Sequence, residues 1–229
     1  MEQIVSRVGV LDKSFSILSL VATGPRTLAQ LVDGTGMSRA TAHRLAVALE
    51  DHGLLRRGPD GRFALGLHLI ALGRAATDQY PIAEAATPAL ATLRERTGES
   101  VQLYVRDGTG RVCVAALESP HGLRTIVPVG AELPLDRGSA GRVLLGESGP
   151  DGWVATVEER EPGVASVSAP VVVGGEVAAA VSVSGPIDRL GRRPGRDRGE
   201  AVVAAARTVE AALGAPAPTS VVGVPFTDR

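Results

Sequence analysis

Residues 38–53 of the chain read SRATAHRLAVALEDHG. Ser38 is a favoured N-cap residue and Gly53 is a favoured C-terminal stop, so the stretch predicts a single helix. One apolar stripe at the spacing i, i+3, i+4, i+7 is formed by Ala42, Leu45, Ala46 and Leu49. Donor side chains crowd the other face of the first two turns, namely Arg39, Thr41, His43 and Arg44.

The residues upstream complete a helix-turn-helix pattern. Residues 27–33 predict a shorter helix, and the Gly-Thr-Gly sequence at 34–36 predicts the turn that joins the two helices. In a helix-turn-helix the second helix enters the major groove of DNA. An ordinary helical hairpin with a solvated polar face is the alternative interpretation.

The residues downstream favour DNA binding. Residues 54–57 and 62–65 predict two short strands around a Gly-Pro-Asp-Gly turn. A hairpin directly after a recognition helix is typical of a wing, whose arginines contact DNA phosphates. The predicted DNA-binding residues are Ser38, Arg39, Thr41, His43, Arg44, Arg56, Arg57 and Arg62.

Composition narrows the function classes. The 229 residues carry a formal net charge of −1, but residues 1–75 hold nine basic and six acidic side chains. This local excess is consistent with a nucleic-acid face at the N-terminal end. Cys113 is the single cysteine, and no Cys/His cluster has metal-ligand spacing, so we expect no disulfide, metal or cofactor. Without a signal or membrane-spanning pattern, we expect a cytoplasmic, nucleoid-associated protein.

The rest of the chain predicts an α+β fold with an antiparallel sheet flanked by helices. The predicted helices are 8–21, 66–76, 82–97, 138–145 and 199–213, and the predicted strands are 101–106, 111–117, 123–129, 164–173 and 176–184. Gly174-Gly175 is a strong hairpin signal between the last two strands. An antiparallel sheet with flanking helices is typical of small-ligand sensor domains.

The sequence resembles the IclR family of bacterial transcription regulators over residues 8–213. The resemblance rests on the motifs VLDK at 10–13, SRATAHRL at 38–45, GRFALG at 61–66, RGSAGR at 137–142 and VSVSGP at 181–186. Within the family, residues 160–170 (REPGVASVSAP) look most like the actinobacterial NdgR/LtbR branch, which is linked to leucine and other amino-acid biosynthesis.

The resemblance implies an architecture and partners. It implies a winged helix-turn-helix domain at 1–75, a linker helix at 76–98 and a GAF-like effector domain at 99–214. Residues 215–229, with three prolines and no periodicity, predict a flexible tail. The resemblance further implies a regulator that binds a pseudo-palindromic double-stranded DNA operator as a homodimer or homotetramer. We expect it to control amino-acid metabolism genes, as a repressor, in response to a small carboxylate metabolite.

The resemblance also implies an effector pocket. Ser139 and Ala140 match the cradle at a helix start, Leu133 matches a wall, and Ser166, Ser182 and Ser184 match lining positions. Backbone N–H groups at a helix start suit a carboxylate. The alternative is that the serines only fill small positions in a sheet. Residues 146–152 form a short connection where the family has a further helical segment, so one side of the pocket is expected to be open or rebuilt.

Three other functions remain to be weighed. A hydrolase would use Ser139 as nucleophile with His121 and Asp136, but the Gly-x-Ser-x-Gly spacing is absent. A ligand-independent dimeric DNA-binding protein would use its C-terminal domain only for assembly. A binding module would use the helix-turn-helix for contact with another protein.

Overall fold

The computed structural model describes residues 9–79 and 81–214, and for Thr77 and Asp78 it describes the backbone alone. The chain divides between Gln79 and Tyr80 into two compact units. The predicted tail at 215–229 lies outside the described residues.

The N-terminal unit contains a winged helix-turn-helix. Its elements are α1 (Gly9–Ala22), α2 (Leu28–Thr35), α3 (Arg39–Asp51), β1 (Leu55–Arg57), β2 (Phe63–Leu65) and α4 (His68–Asp78). The antiparallel pair β1–β2 follows α3 directly, as predicted. A core of Ile17, Leu31, Ala46, Leu55 and Phe63 joins the three helices to the hairpin.

Local sequence signals set the ends of α2 and α3. The Thr27 side chain accepts a hydrogen bond from Gln30 N, and the Gln30 side chain accepts one from Thr27 N, which is a capping box. Gly36 ends α2 in the left-handed conformation at φ 67°. Ser38 then caps α3 by accepting from Thr41 N. The turn is therefore 36–38, two residues later than the prediction of 34–36.

The C-terminal unit is built on a six-stranded sheet in the order β5-β4-β3-β8-β7-β6, with every neighbouring pair antiparallel. Its elements in chain order are α5 (Pro81–Thr97), β3 (Ser100–Asp107), β4 (Gly110–Leu117), β5 (Glu132–Pro134), α6 (Ser139–Leu144), β6 (Val154–Val157), β7 (Val164–Val173), β8 (Glu176–Pro186), α7 (Ile187–Leu190) and α8 (Pro194–Gly214).

The two faces of the sheet have different characters because side chains alternate along each strand. Val101, Val167 and Val183 face α5 and α8 in the larger apolar core. Ser168 and Ser182 lie next to Val167 and Val183 on their strands, so their side chains point to the opposite face of the sheet. The two serines pair across β7 and β8 and are also buried. The α6 side of the sheet therefore holds a buried polar layer.

The predicted strand at 123–129 is wrong. These residues form a loop, in which Leu123, Ile126 and Val129 are more than half exposed. Pro128 has no N–H to donate to a ladder, so pairing with β4 begins only at Gly130, whose N–H donates to Cys113 O over 2.7 Å. The short strand β5 follows at Glu132–Pro134.

Helix α8 begins five residues before the predicted start at 199. A Cβ at Gly195 or Gly199 would lie 2.0 Å or 2.4 Å from the Trp153 indole, so both glycines make room for this ring. Their presence therefore reflects packing and does not mark a loop. Pro194 occupies the first helical position, where its missing N–H costs nothing.

Candidate nucleic-acid interface and effector cavity

Helix α3 presents free donors on its outer face. Arg39, His43 and Arg44 are exposed, and none has a side-chain partner among the described residues. Leu45 and Leu49 are buried on the opposite face. The helix is thus held by its apolar stripe while three cationic or hydrogen-bonding side chains stay available to a ligand.

Ser38 and Thr41 differ from these three residues. The Ser38 hydroxyl donates to Thr41 Oγ1 over 2.9 Å and accepts from Thr41 N over 3.3 Å. Both hydroxyls are therefore engaged in the helix cap. They position the start of α3 and have less freedom to reach a base edge than the side chains of Arg39 and Arg44.

The three wing arginines also differ from one another. Arg56 is exposed and has no side-chain partner among the described residues. Arg57 lies 3.4 Å from the Glu50 carboxylate. Arg62 is 3.1 Å from the Asp60 carboxylate, and its guanidinium also donates to Gln30 Oε1 over 3.4 Å.

In the C-terminal unit, a cavity lies between α6 and the polar side of the sheet. It contains five of the six residues that the sequence analysis assigns to effector binding. The lining residues are Tyr104, Arg111, Gly138, Ser139, Ala140, Thr156, Glu159, Arg160, Val164, Ser166, Ser182 and Ser184. Leu133 lies on β5 in register with Arg111, but it packs into the second apolar cluster and not into the cavity lining.

Hydroxyl groups form a continuous network along one wall. Ser139 Oγ lies 2.8 Å from Ser166 Oγ and 2.7 Å from Ser168 Oγ. Thr156 Oγ1 lies 3.0 Å from Ser166 Oγ, and Ser168 Oγ donates to Ser182 Oγ over 2.9 Å. Because each hydroxyl can both donate and accept, the network satisfies itself and can also turn its hydrogens toward a polar ligand.

Two of the backbone donors at the start of α6, Gly138 N and Ser139 N, already have partners. Gly138 N donates to the Glu159 carboxylate over 3.0 Å, and Ser139 N donates to Thr156 Oγ1 over 3.1 Å. The helix itself has six residues. A carboxylate ligand would therefore have to displace Glu159 before it reached this helix start.

Two arginines line the cavity, whereas the sequence analysis places none there. Arg111 is 2% exposed, and its Cζ atom lies 5.3 Å from the centroid of the Tyr104 ring. Burial lowers the pKa of Arg111, and the nearby charge of Arg160 lowers it further. Burial also raises the pKa of Tyr104 well above its usual value. Arg111 remains protonated at neutral pH because an arginine does not lose its proton in proteins.

No signal close in sequence could have identified Arg111. Its Nη1 atom donates to the carbonyls of Pro134 and Arg137, which lie 23 and 26 residues further along the chain. A Cβ at Gly141 would lie 2.3 Å from the same nitrogen, so this glycine makes room for the guanidinium. The Gly-Ser-Ala-Gly motif therefore packs against a charge that only the fold brings to it.

The cavity is narrow. It leaves about 20 Å³ free, which is room for about one water molecule.

Among the described residues no group of three or more His, Cys, Asp or Glu could hold a metal ion. No described helix is long and apolar enough to cross a membrane.

Comparison with known families assigns both units. The model of the IclR helix-turn-helix domain matches residues 10–59. The model of the bacterial transcriptional regulator IclR C-terminal domain matches residues 74–151 and 147–211. The chain belongs to the IclR family. The two C-terminal matches overlap inside the connection at 146–152, where the family is expected to have a further helical segment.

Individual relatives agree with this assignment. The HTH-type transcriptional regulator KipR of Bacillus subtilis is 34% identical over 134 residues, which are 58% of this chain and 54% of that protein. The glycerol operon regulatory protein of Streptomyces griseus is 28% identical over 217 residues, which are 79% of this chain and 85% of that protein. These IclR relatives are transcription regulators and not enzymes, so the hydrolase alternative has no support.

A solved structure agrees in fold. An IclR homolog from Microbacterium hydrocarbonoxydans complexed with 4-hydroxybenzoate has a TM-score of 0.77 at 21% identity, and the match covers 89% of this chain and 98% of that chain. At this identity the likeness shows the α+β fold alone.

Proposed function

We propose that the chain is a transcription regulator that reads a DNA operator with α3 and the β1–β2 wing. The observation that carries this proposal is that Arg39, His43 and Arg44 are exposed and have no side-chain partner among the described residues. The opposite face of the same helix is buried in the core. Arg39 and Arg44 contact base edges or phosphates, and Arg56 neutralises a backbone phosphate. Ser38 and Thr41 position the start of the helix. Action on DNA places the protein in the cytoplasm, at the nucleoid.

The experiment is selection of genomic DNA fragments by the purified full chain, followed by titration of the enriched sequence against a scrambled one. Preference for the enriched sequence, with an affinity that falls steeply as salt rises, supports the proposal. Equal binding to both sequences, or binding that salt does not weaken, contradicts it and favours a protein-contact module. The genes beside the enriched sites identify the regulated pathway.

We propose that the regulator acts as a pair of copies on a pseudo-palindromic operator, because one α3 helix reads one half-site. Helix α1 leaves Val10, Leu11 and Phe15 between 51% and 65% exposed, an apolar surface that a second copy would bury. A Phe15→Ser variant tests the interface by sedimentation. A more dissociated assembly supports it, and an unchanged one contradicts it.

We propose a small carboxylate metabolite as the effector of the cavity beside α6, with Ser139, Ala140, Ser166, Ser182 and Ser184 as contacts. The resemblance of residues 160–170 to the NdgR/LtbR branch supports control of leucine-related genes. Support for the effector comes from the hydroxyl network and from the two arginines in the lining. A ligand shifts operator affinity only by its differential binding to two protein states, with a coupling of about 1–3 kcal/mol.

The narrow free space favours a second candidate. With room for about one water molecule, the C-terminal unit could serve for assembly alone, and the chain would then bind its operator without an effector. Operator titration in the presence of candidate carboxylates separates the two functions. A change in operator affinity supports the effector, and unchanged affinity with every acid supports the assembly role.

A further inference from the structure

Arg111 is held in one orientation by the protein. Its Nη1 atom donates to Pro134 O and, over 2.8 Å, to Arg137 O. Its guanidinium also lies over the Tyr104 ring. Anchored at one nitrogen and stacked on one face, the guanidinium has little freedom to turn inside the cavity.

The opposite edge of the same guanidinium has no protein partner among the described residues. The Nε atom is fully buried and makes no hydrogen bond there, and neither does Nη2. Arginine nitrogens only donate, and a buried unpaired donor is destabilising. Nε and Nη2 lie side by side on this edge, in the fork geometry that binds both oxygens of a carboxylate.

The Glu159 carboxylate, which lines the cavity, already has partners in the protein. Glu159 Oε2 accepts from Gly138 N over 3.0 Å, and its Oε1 lies 3.8 Å from the Arg142 guanidinium. Arg160 lines the same cavity and adds a second positive charge, which the Glu161 carboxylate at 3.9 Å offsets in part. The lining groups thus carry two cations and one anion, and this balance favours an anionic ligand.

We propose that the Nε–Nη2 edge of Arg111 is the anion-binding site of the cavity and binds the carboxylate of the effector through two parallel hydrogen bonds. The inference rests on the proposed effector pocket and names the residue that selects its ligand class. It moves the carboxylate from the start of α6, where Gly138 N and Ser139 N are already bonded, to a guanidinium whose Nε and Nη2 have no protein partner among the described residues. Ser182 and Ser184 then contact the uncharged part of the ligand.

The test compares acids with their amides, which keep the size and shape but lose the charge. The cavity leaves room for about one water molecule, so a ligand must widen it, and the pairs therefore run upward in size: acetate and acetamide, isovalerate and isovaleramide, and 4-hydroxybenzoate and 4-hydroxybenzamide. Calorimetry on the full chain at fixed ionic strength measures each affinity. We expect at least one acid to bind about 10- to 100-fold more tightly than its amide, the factor that a charge-assisted hydrogen bond contributes.

Variants assign the preference to Arg111. Arg111→Gln removes the charge, Arg111→Lys keeps the charge without the fork, and Arg106→Gln is the matched control on the neighbouring strand, where the side chain is exposed. We expect the acid preference to vanish in Arg111→Gln, to shrink in Arg111→Lys and to persist in Arg106→Gln. If Arg111→Gln does not fold, the comparison of acids with amides on the wild type and on Arg111→Lys still tests the proposal.

Any of four results would overturn the proposal: no acid binds the wild type, acids and amides bind equally, the preference survives in Arg111→Gln, or the preference is undiminished in Arg111→Lys. These results leave the regulator itself standing, because operator binding without ligand is measured separately. Loss of operator recognition with an intact acid preference would instead overturn the proposed function and leave the Arg111 site in place.

Discussion

The guanidinium of Arg57 lies over the ring of Phe63, with its Cζ atom 4.5 Å from the ring centroid. Phe63 is 1% exposed in the core of the DNA-binding unit, and Arg57 also reaches the Glu50 carboxylate at the end of α3. Arg57 therefore connects the wing to the recognition helix. Arg56, the next residue on the same strand, faces solvent without a partner.

This difference predicts unequal roles in DNA binding. Arg56→Ala should lower the slope of log affinity against log salt by about one, because each neutralised phosphate contributes about that much. Arg57→Ala should lower the slope less, since Glu50 already offsets part of the Arg57 charge, and it should lower wing stability as well. Binding titrations between 50 and 200 mM salt, a range of roughly a factor of four, measure both slopes. Equal slopes for the two variants would contradict the assignment.

The narrow fit at Gly141 predicts a loss of stability on adding one methyl group. A Cβ there would lie 2.2 Å from Leu135 O and 2.3 Å from Arg111 Nη1, so Gly141→Ala should destabilise by about 1–3 kcal/mol. Trp153, the single tryptophan, reports urea unfolding of this unit by fluorescence. Gly214→Ala is the control, because a Cβ there meets nothing within 4 Å. Unfolding of both variants at the same urea concentration would contradict the close packing at Gly141.

Cys113 is expected to be chemically inert in the folded chain. Burial raises the pKa of its thiol to about 11, and the side chain is 0% exposed. A disulfide reagent at neutral pH should therefore modify it only after unfolding in urea, because the thiolate is the reactive form. Rapid modification of the native chain would show that the strand β4 opens.

The same shift predicts a pH dependence of stability. A thiol whose pKa is raised by folding contributes stability that is complete below its ordinary pKa and is lost as the pH rises through its folded pKa. The free energy of unfolding should fall between pH 9 and 11, and this part of the fall should be missing in Cys113→Ala. A variant with the same pH profile as the wild type would contradict the assignment to Cys113.

The DNA-binding unit could be predicted from sequence because its signals are local. The caps Thr27, Ser38 and Gly36 lie within a few residues of the helices that they end. The exposed face of α3 follows from the same periodicity that predicts its buried stripe. What sequence could not show is that the Arg62 guanidinium also donates to Gln30, which lies 32 residues away along the chain.

The cavity was predictable only in part. Serines at alternating positions on β7 and β8 indicate a shared polar face, and the structure brings Ser166, Ser182 and Ser184 together with Ser139. Arg111 was missed because a strand arginine is ordinarily exposed, and the carbonyls that hold it belong to a loop after the next strand. The strand β6 was missed because its four residues are too few to show a period.

If α3 reads the DNA sequence, Arg44→Ala should change the preference of the protein for its operator. The variant and the wild type are titrated against the selected operator and a scrambled sequence, with Arg207→Ala as a control for loss of charge at an exposed position outside the DNA-binding unit. We expect Arg44→Ala to weaken operator binding by about 1–3 kcal/mol and scrambled binding much less, while Arg207→Ala changes neither. Unchanged affinity of Arg44→Ala for both sequences would contradict sequence recognition by α3.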